Sequence, residues 1–166
     1  MKLLDLVHPG SIIADWPLPA EPHRLIERNT VIRDLVQVLA DGKLIDGGQV
    51  DSIVRSIITR ERTRGTTGFG KGVAVPHAKA EGLARVVAAV GRSSRGIDFS
   101  SLDGQPVYCV FLIVSPADQP EEHLRAMDLV FRHLQQEKFR KFLRQADRPE
   151  LVYELLKEAD EKALVS

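Results

Sequence analysis

Apolar residues recur at three- and four-residue steps in two successive segments of the first third of the chain. The first segment begins after Thr30, a candidate N-cap, and ends at Gly42. The second spans residues 50–61 and follows a turn that contains two consecutive glycines. Because this spacing places the apolar side chains on one face of a helix, it predicts two consecutive amphipathic helices.

Strands are predicted by three short runs of apolar residues in the middle of the chain, at 73–75, 86–90 and 107–114. The last run is too uniformly apolar for an edge strand, so we expect it to be buried on both faces of a sheet. We expect turns between the second and third runs, at Gly96, Gly104 and Pro106.

Helical spacing returns in the last third of the chain, over residues 124–134, 139–143 and 151–156, the last after Pro149. Helices, then strands, then helices predict an α/β (α+β) fold, with a single domain whose mixed central β-sheet is flanked by helices on both faces. We expect an N-terminal extension or entry segment at residues 1–24, the domain itself at 25–158 and a C-terminal tail at 159–166.

Composition narrows the classes of function. The chain has 166 residues, with 43% hydrophobic and 28% charged side chains, as is typical of one soluble domain. Its 23 basic and 23 acidic residues balance, which argues against a general affinity for nucleic acid. No apolar run approaches the roughly 20 residues of a membrane span, and no signal-peptide pattern is present, so we expect a cytoplasmic protein without direct membrane insertion.

Candidate chemistry is concentrated in the segment from Thr66 to Lys79, where a glycine-rich stretch leads through a short apolar run and a proline to His77. Glycines permit positive φ and close approach, so the amides of this loop are candidates to face an anion. An imidazole with a pKa near 6.5 offers a neutral nucleophilic nitrogen at pH 7. A histidine in this position is more often structural than catalytic, so the residues alone leave both interpretations open. The predicted phosphate loop consists of Thr67, Gly68, Gly70 and Gly72.

Arg60 ends the second predicted helix just before this loop. Its planar guanidinium suits a phosphate group, which makes it a candidate to stabilise one. An exposed arginine paired with Glu61 or Asp51 is an equally good interpretation. The loop lacks the fingerprints of nucleotide-binding loops, and no further histidine or cysteine has the spacing of a metal ligand.

A family resemblance is carried by one motif together with residues further along the chain. The motif is Arg60-Glu61, then Thr67-Gly68-x-Gly70-x-Gly72, then Pro76-His77. The chain resembles the enzyme IIA domain of the bacterial phosphotransferase system, of the fructose/mannitol class that includes the nitrogen-related regulatory branch. The resemblance covers roughly residues 25–158. Its other elements are Ile58-Thr59, Phe99, Leu102-Asp103-Gly104-Gln105-Pro106-Val107, Val110 to Pro116, and Glu122-His123-Leu124.

This resemblance implies a phosphotransferase component in which His77 accepts a phosphoryl group from an HPr-type protein. It also implies that His123 assists without carrying the phosphate, that Arg60 stabilises it, and that no cofactor or metal ion takes part. Three outcomes stay open: a nitrogen-related regulator that binds target proteins, a sugar-specific EIIA that passes phosphate to a separate EIIB domain, or a degenerate binding module that accepts no phosphate. The first is favoured, because no EIIB segment is fused to this sequence.

Overall fold

A computed structural model describes the backbone of residues 1–165 and the side chains of residues 1–163. Its helices are α1 (Leu3–Leu6), α2 (Arg28–Asp41), α3 (Val50–Thr63), α4 (Pro120–Leu134), α5 (Glu137–Gln145) and α6 (Pro149–Val165), with a 3₁₀ turn at Gly47–Gln49. Its strands are β1 (Val7–Ile13), β2 (Ile26–Glu27), β3 (Gly68–Gly70), β4 (Val73–Ala74), β5 (His77–Ala80), β6 (Val87–Asp98) and β7 (Val107–Pro116).

The strands form one mixed sheet in the order β1-β6-β7-β4-β3. Strand β7 pairs antiparallel with β6 on one side, and parallel with both β4 and β5 on the other. Strands β1 and β2 run parallel to β6, and β3 pairs antiparallel with β4 at the far edge. The prediction of a mixed central sheet is therefore confirmed.

Strand β7 separates two apolar layers, because its successive side chains point to opposite faces. Phe111 and Ile113 pack in the layer formed with α1, α4, α5 and α6, whereas Leu112 and Val114 pack against α2 and α3. All four side chains are at most 1% exposed. Helices therefore cover both faces of the sheet, as the uniformly apolar run predicted.

Two local predictions are wrong. Gly96, expected in a turn, lies within β6 with a φ of 107°, at a shift of register between Arg92 and Ile97. A bulge accommodates this glycine, and the strand continues beyond it to Asp98. The first long helix begins at Arg28 with Glu27 as its N-cap, three residues before the N-cap predicted at Thr30.

The two ends of the chain meet through one buried carboxylate. Asp160 of α6 accepts hydrogen bonds from the backbone N–H groups of Leu3, at 2.7 Å, and Leu4, at 3.1 Å. Leu3 and Leu6 are in turn buried against the sheet. The domain limits proposed at residues 24 and 158 stay predictions. Within the described residues, every helix is too short or too polar to cross a lipid bilayer.

We expect Asp160→Ala to lower the free energy of unfolding by about 1–3 kcal/mol, since it leaves two N–H groups of α1 without their acceptor. Urea denaturation monitored by circular dichroism measures the loss. Glu161→Ala is the matched control, because Glu161 is the exposed neighbour on the same helix. Equal stability of the two variants would contradict this role for Asp160.

Candidate functional site

Strand β5 holds His77 at a fixed place along β7. His77 lies opposite Ile113 in the parallel ladder, and the carbonyl of Pro76 accepts the Ile113 N–H at 3.0 Å. Pro76 has no N–H that could donate a hydrogen bond to a neighbouring strand. It lies in the short interruption between β4 and β5, which both pair with the same side of β7. The first side chain after that interruption is the imidazole.

A backbone carbonyl fixes the tautomer of His77. The ring Nδ1 lies 2.9 Å from the oxygen of Val75. Because a carbonyl oxygen only accepts hydrogen bonds, Nδ1 carries the hydrogen and the neutral ring keeps its lone pair on Nε2. Burial lowers the pKa of His77, the Val75 bond partly offsets that effect, and the positive charges of Arg60 and Lys79 lower the pKa further. The ring is therefore neutral, with a nucleophilic Nε2, at pH 7.

His123 lies beside His77, with 5.5 Å between the ring centroids. It belongs to the first turn of α4 and is only 8% exposed. Its Nδ1 is 2.6 Å from the hydroxyl oxygen of Ser115, a fully buried residue near the end of β7. Burial, followed by the charges of His77 and Lys79, lowers the pKa of His123 to about 4. Two neutral imidazoles thus share one site, each anchored through Nδ1.

Both histidines open onto a cavity of about 790 Å³ between α3 and β5. No carboxylate is among the described residues that line it. Serine and threonine residues from α3 line it as well, as do four cations: Arg55, Arg60, Arg64 and Lys79. A concave surface with positive charge and hydroxyl groups favours an anion such as a phosphoryl group.

Arg60 lies in this cavity, and it forms no ion pair with any described residue. Its Nη1 donates a long hydrogen bond, 3.4 Å, to the carbonyl of Gly65. Of the two carboxylates considered as partners, Asp51 pairs with Arg33, and Glu61 is 3% exposed and binds Thr67. The guanidinium therefore remains available to an anion beside His77.

Two amides of the predicted phosphate loop, those of Thr67 and Gly68, have hydrogen-bond partners within the protein. Glu61 accepts hydrogen bonds from the N–H of Thr67, at 2.7 Å, and from its hydroxyl, while the N–H of Gly68 donates to the Thr66 hydroxyl at 3.0 Å. These two amides are thus already engaged within the protein. Neither of them is free to receive an anion.

Gly70 ends β3 and Gly72 lies in the turn that joins β3 to β4, with φ values of 110° and 76°. Val73 pairs with Cys109 whereas His77 pairs with Ile113, so this turn lies about 13 Å along the ladder from the histidine. The structure brings His77, His123 and Arg60 together and leaves the glycine turn at the other end of the strand pair.

Sequence reasoning gave no role to Ser115 or to the carbonyl of Val75. Ser115 lies eight residues before His123, at the end of the most apolar strand. A buried hydroxyl in an otherwise apolar strand needs a hydrogen-bond partner, so Ser115 was a usable signal in the sequence. The Val75 contact had no sequence signal, because any residue carries the same carbonyl. Among the described residues, no three His, Cys, Asp or Glu side chains are grouped to hold a metal ion.

Comparison with known proteins shows the family to which the chain belongs. A sequence model of the family described as "Phosphoenolpyruvate-dependent sugar phosphotransferase system, EIIA 2" matches residues 23–159. The chain belongs to this EIIA family. The nitrogen regulatory protein of Bradyrhizobium diazoefficiens is 33% identical over 156 residues, which cover 94% of this chain and 95% of that protein.

Members of the EIIA family differ in how much sequence surrounds the shared domain. The fructose-specific EIIABC component of Bacillus subtilis is 35% identical over 135 residues, which cover 81% of this chain but 21% of that protein. Among solved structures, the nitrogen regulatory protein IIA-Ntr of Neisseria meningitidis has a TM-score of 0.75 at 22% identity, covering 92% of this chain and 97% of that one. That likeness supports the EIIA fold.

Burial of His123 should make the protein less stable in acid. The folded pKa, about 4, lies below the ordinary value of 6.5, so between these pH values the unfolded chain binds more protons and stability rises with pH. We expect the free energy of unfolding to fall as pH drops from 6.5 towards 4, by up to about 1.4 kcal/mol per pH unit from this residue. Urea denaturation at several pH values measures the slope.

The matched variant is His123→Gln, which keeps a polar side chain and removes the titration. Its pH slope should be flatter than that of the wild type over the same range. Identical slopes would show that His123 does not have a lowered pKa.

Proposed function

We propose that this EIIA protein is a phosphohistidine carrier that accepts a phosphoryl group on Nε2 of His77 from an HPr-type donor. The hydrogen bond between His77 Nδ1 and the Val75 carbonyl is the observation that carries the proposal. It holds the Nδ1 hydrogen away from the cavity and directs the unprotonated nitrogen towards a surface lined with cations. A structural histidine would have no need of that surface.

Transfer proceeds as an in-line displacement between two imidazoles. The Nε2 lone pair of His77 forms the new P–N bond while the P–N bond of the donor phosphohistidine breaks. Its electron pair returns to the donor ring, which carries a hydrogen on its other nitrogen and so leaves as a neutral imidazole. The Nδ1 hydrogen stays in its bond to the Val75 carbonyl throughout. No metal ion, oxidant or external base is needed for this balance.

Cations and one imidazole stabilise the charge on the three phosphoryl oxygens. Arg60 supplies a guanidinium that has no carboxylate partner, and Lys79, two residues after His77, supplies an ammonium from the same strand. His123 contributes as a neutral ring. When the Ser115 hydroxyl donates to Nδ1, the ring hydrogen lies on Nε2 of His123, where it is a donor to a phosphoryl oxygen.

The regulatory branch is the favoured use of this carrier. The nitrogen regulatory protein of Bradyrhizobium diazoefficiens matches 94% of this chain, whereas the fructose-specific relative of Bacillus subtilis matches 81% of it. In this role the phosphorylation state of His77 selects which target protein is bound. We place the protein in the cytoplasm, where an HPr-type donor operates.

A sugar-specific carrier is the second candidate. A fructose-specific EIIA component of Haloferax volcanii is 34% identical over 120 residues, and 77% of that protein is covered. The mannitol IIA of Escherichia coli, solved in complex with phosphorylated mannitol IIB, has a TM-score of 0.72 at 18% identity. In this role the acceptor is a separate EIIB domain. A degenerate module that accepts no phosphate is disfavoured, because His77, His123 and Arg60 still meet in one cavity.

Incubation with phosphoenolpyruvate, enzyme I and an HPr-type protein should add one phosphate to the wild type and none to His77→Ala, as measured by intact mass. His23→Ala is the matched control, since His23 is exposed and outside the cavity. Phosphorylation of His77→Ala would contradict the assignment. Addition of a purified EIIB domain then separates the two candidates, because only the sugar-specific carrier should lose its phosphate to it.

Arg60→Ala should slow phosphorylation by roughly 10- to 100-fold without moving the phosphate from His77, because one donor to the transferring group is lost. Rapid-quench kinetics with the same donor measure the rate. Arg62→Ala is the control: it removes the same charge from the same helix, outside the residues that line the cavity. Equal phosphorylation rates for the two variants would show that Arg60 does not stabilise the transferring phosphoryl group.

A further inference from the structure

A second cavity, which we call the hairpin cavity, lies away from the histidines. Its volume is about 860 Å³, and its walls are the β3–β4 turn, the start of β7 and helix α5. The described lining has two carboxylates, Asp103 and Glu137, and five cations: Lys71, Arg92, Arg140, Lys141 and Arg144. In a chain with equal numbers of basic and acidic residues, this is a local excess of positive charge.

Most of these cations have no carboxylate partner. Within the described residues, no acidic side chain forms an ion pair with Lys71, Arg140, Lys141 or Arg144. The nearby carboxylate of Asp103 is occupied by the backbone N–H groups of Lys71, at 3.2 Å, and Gln105, at 3.0 Å. Asp103 and Glu137 therefore offset only part of the positive charge of the five cations, and Asp15 pairs with Arg92 at 3.8 Å.

Two of the arginines are held in place by the fold. Arg92 is only 7% exposed, and donates to the carbonyls of Arg144, at 2.6 Å, and Ala14, at 3.0 Å. The Arg144 guanidinium stacks over the Tyr108 ring at 3.5 Å from its centroid. Because packing restricts these side chains, they lose little freedom when they bind an anion.

We propose that the hairpin cavity binds a small molecule that carries phosphate groups, with two or more negative charges. Its volume lies in the range of small-molecule sites, about 300–1,000 Å³. Guanidinium groups match phosphate oxygens in pairs, and the lysines add point charges. The five cations come from α5, β6 and the β3–β4 turn and line one concavity, which favours a compact ligand over an extended nucleic-acid strand.

The hairpin cavity is independent of the His77 site. The two cavities share no lining residue, and Val73 and His77 lie about 13 Å apart along the ladder to β7. A phosphate compound in one and a phosphoryl group on His77 therefore do not exclude each other. Binding here does not depend on whether His77 is ever phosphorylated.

The test is a titration of the ¹⁵N-labelled full chain with inorganic pyrophosphate at low ionic strength, followed by NMR. We expect the largest amide shifts at residues 71–73 and 137–145, and the same shifts in His77→Ala. Shifts confined to the neighbourhood of His77 and Lys79, or no shifts at all, would overturn the proposal.

A matched pair of variants on helix α5 tests whether the effect is local. Lys141 lines the hairpin cavity, whereas Lys138 lines a different cavity; both are exposed, so neither change should disturb the fold. Lys141→Gln should weaken pyrophosphate binding roughly three- to tenfold, while Lys138→Gln leaves it unchanged. Equal weakening in both variants would show a general charge effect and overturn the site.

Discussion

The double burial of strand β7 is the constraint on which the rest of the structure depends. Its side chains are divided between two helical layers, so a shift of one residue would move each apolar side chain to the wrong layer. That register also positions the site. His77 is aligned by its pairing with Ile113, and Ser115, two residues later on the same strand, binds His123. One strand therefore fixes the separation of the two imidazoles.

The two imidazoles differ in how they are anchored, and the difference separates their proposed roles. The carbonyl next to His77 accepts hydrogen bonds and cannot donate one, which leaves an unprotonated nitrogen facing the cavity. The hydroxyl next to His123 is also able to donate, which permits a nitrogen that bears hydrogen at the same cavity. Two histidines can therefore play different parts, one as a nucleophile and the other as a hydrogen-bond donor. The Val75 carbonyl sets the first role and the Ser115 hydroxyl permits the second.

The sequence predicted the parts of the fold in which local pattern and packing agree. The apolar run at 107–114 and the helical stripes appear as β7 and as helices α2 to α6. Strand β1 was not predicted, and lies in the segment expected as an extension. Strands β2 and β3, of two and three residues, were also missed, because such short segments exist only through their pairing with neighbours. Gly96 was misassigned for a related reason: a glycine with positive φ is compatible with a turn and with a bulge, and only the register of β6 against β7 selects the bulge.

In the candidate site, too, the sequence did not predict features that depend on contacts with other parts of the chain. The family resemblance implied that Arg60, His77 and His123 share one site, but the direction of an amide depends on its partners. Thr67 was assigned to phosphate by its neighbourhood in the sequence, whereas its N–H is held by the buried Glu61. Glycines 70 and 72 serve the tight turn between β3 and β4, where positive φ is required.

Under the proposed function, charge explains how one small group changes the choice of partner. The cavity beside His77 is lined by four cations and no carboxylate, so before phosphorylation it attracts an acidic surface. A phosphoryl group brings up to about two negative charges to that place and offsets much of this field. The same negative charge raises the pKa of the adjacent His123 ring and strengthens its hydrogen bond to the phosphoryl oxygens. Phosphorylation of His77 therefore weakens the binding of an acidic partner, while the hydrogen bond from His123 stabilises the phosphorylated form.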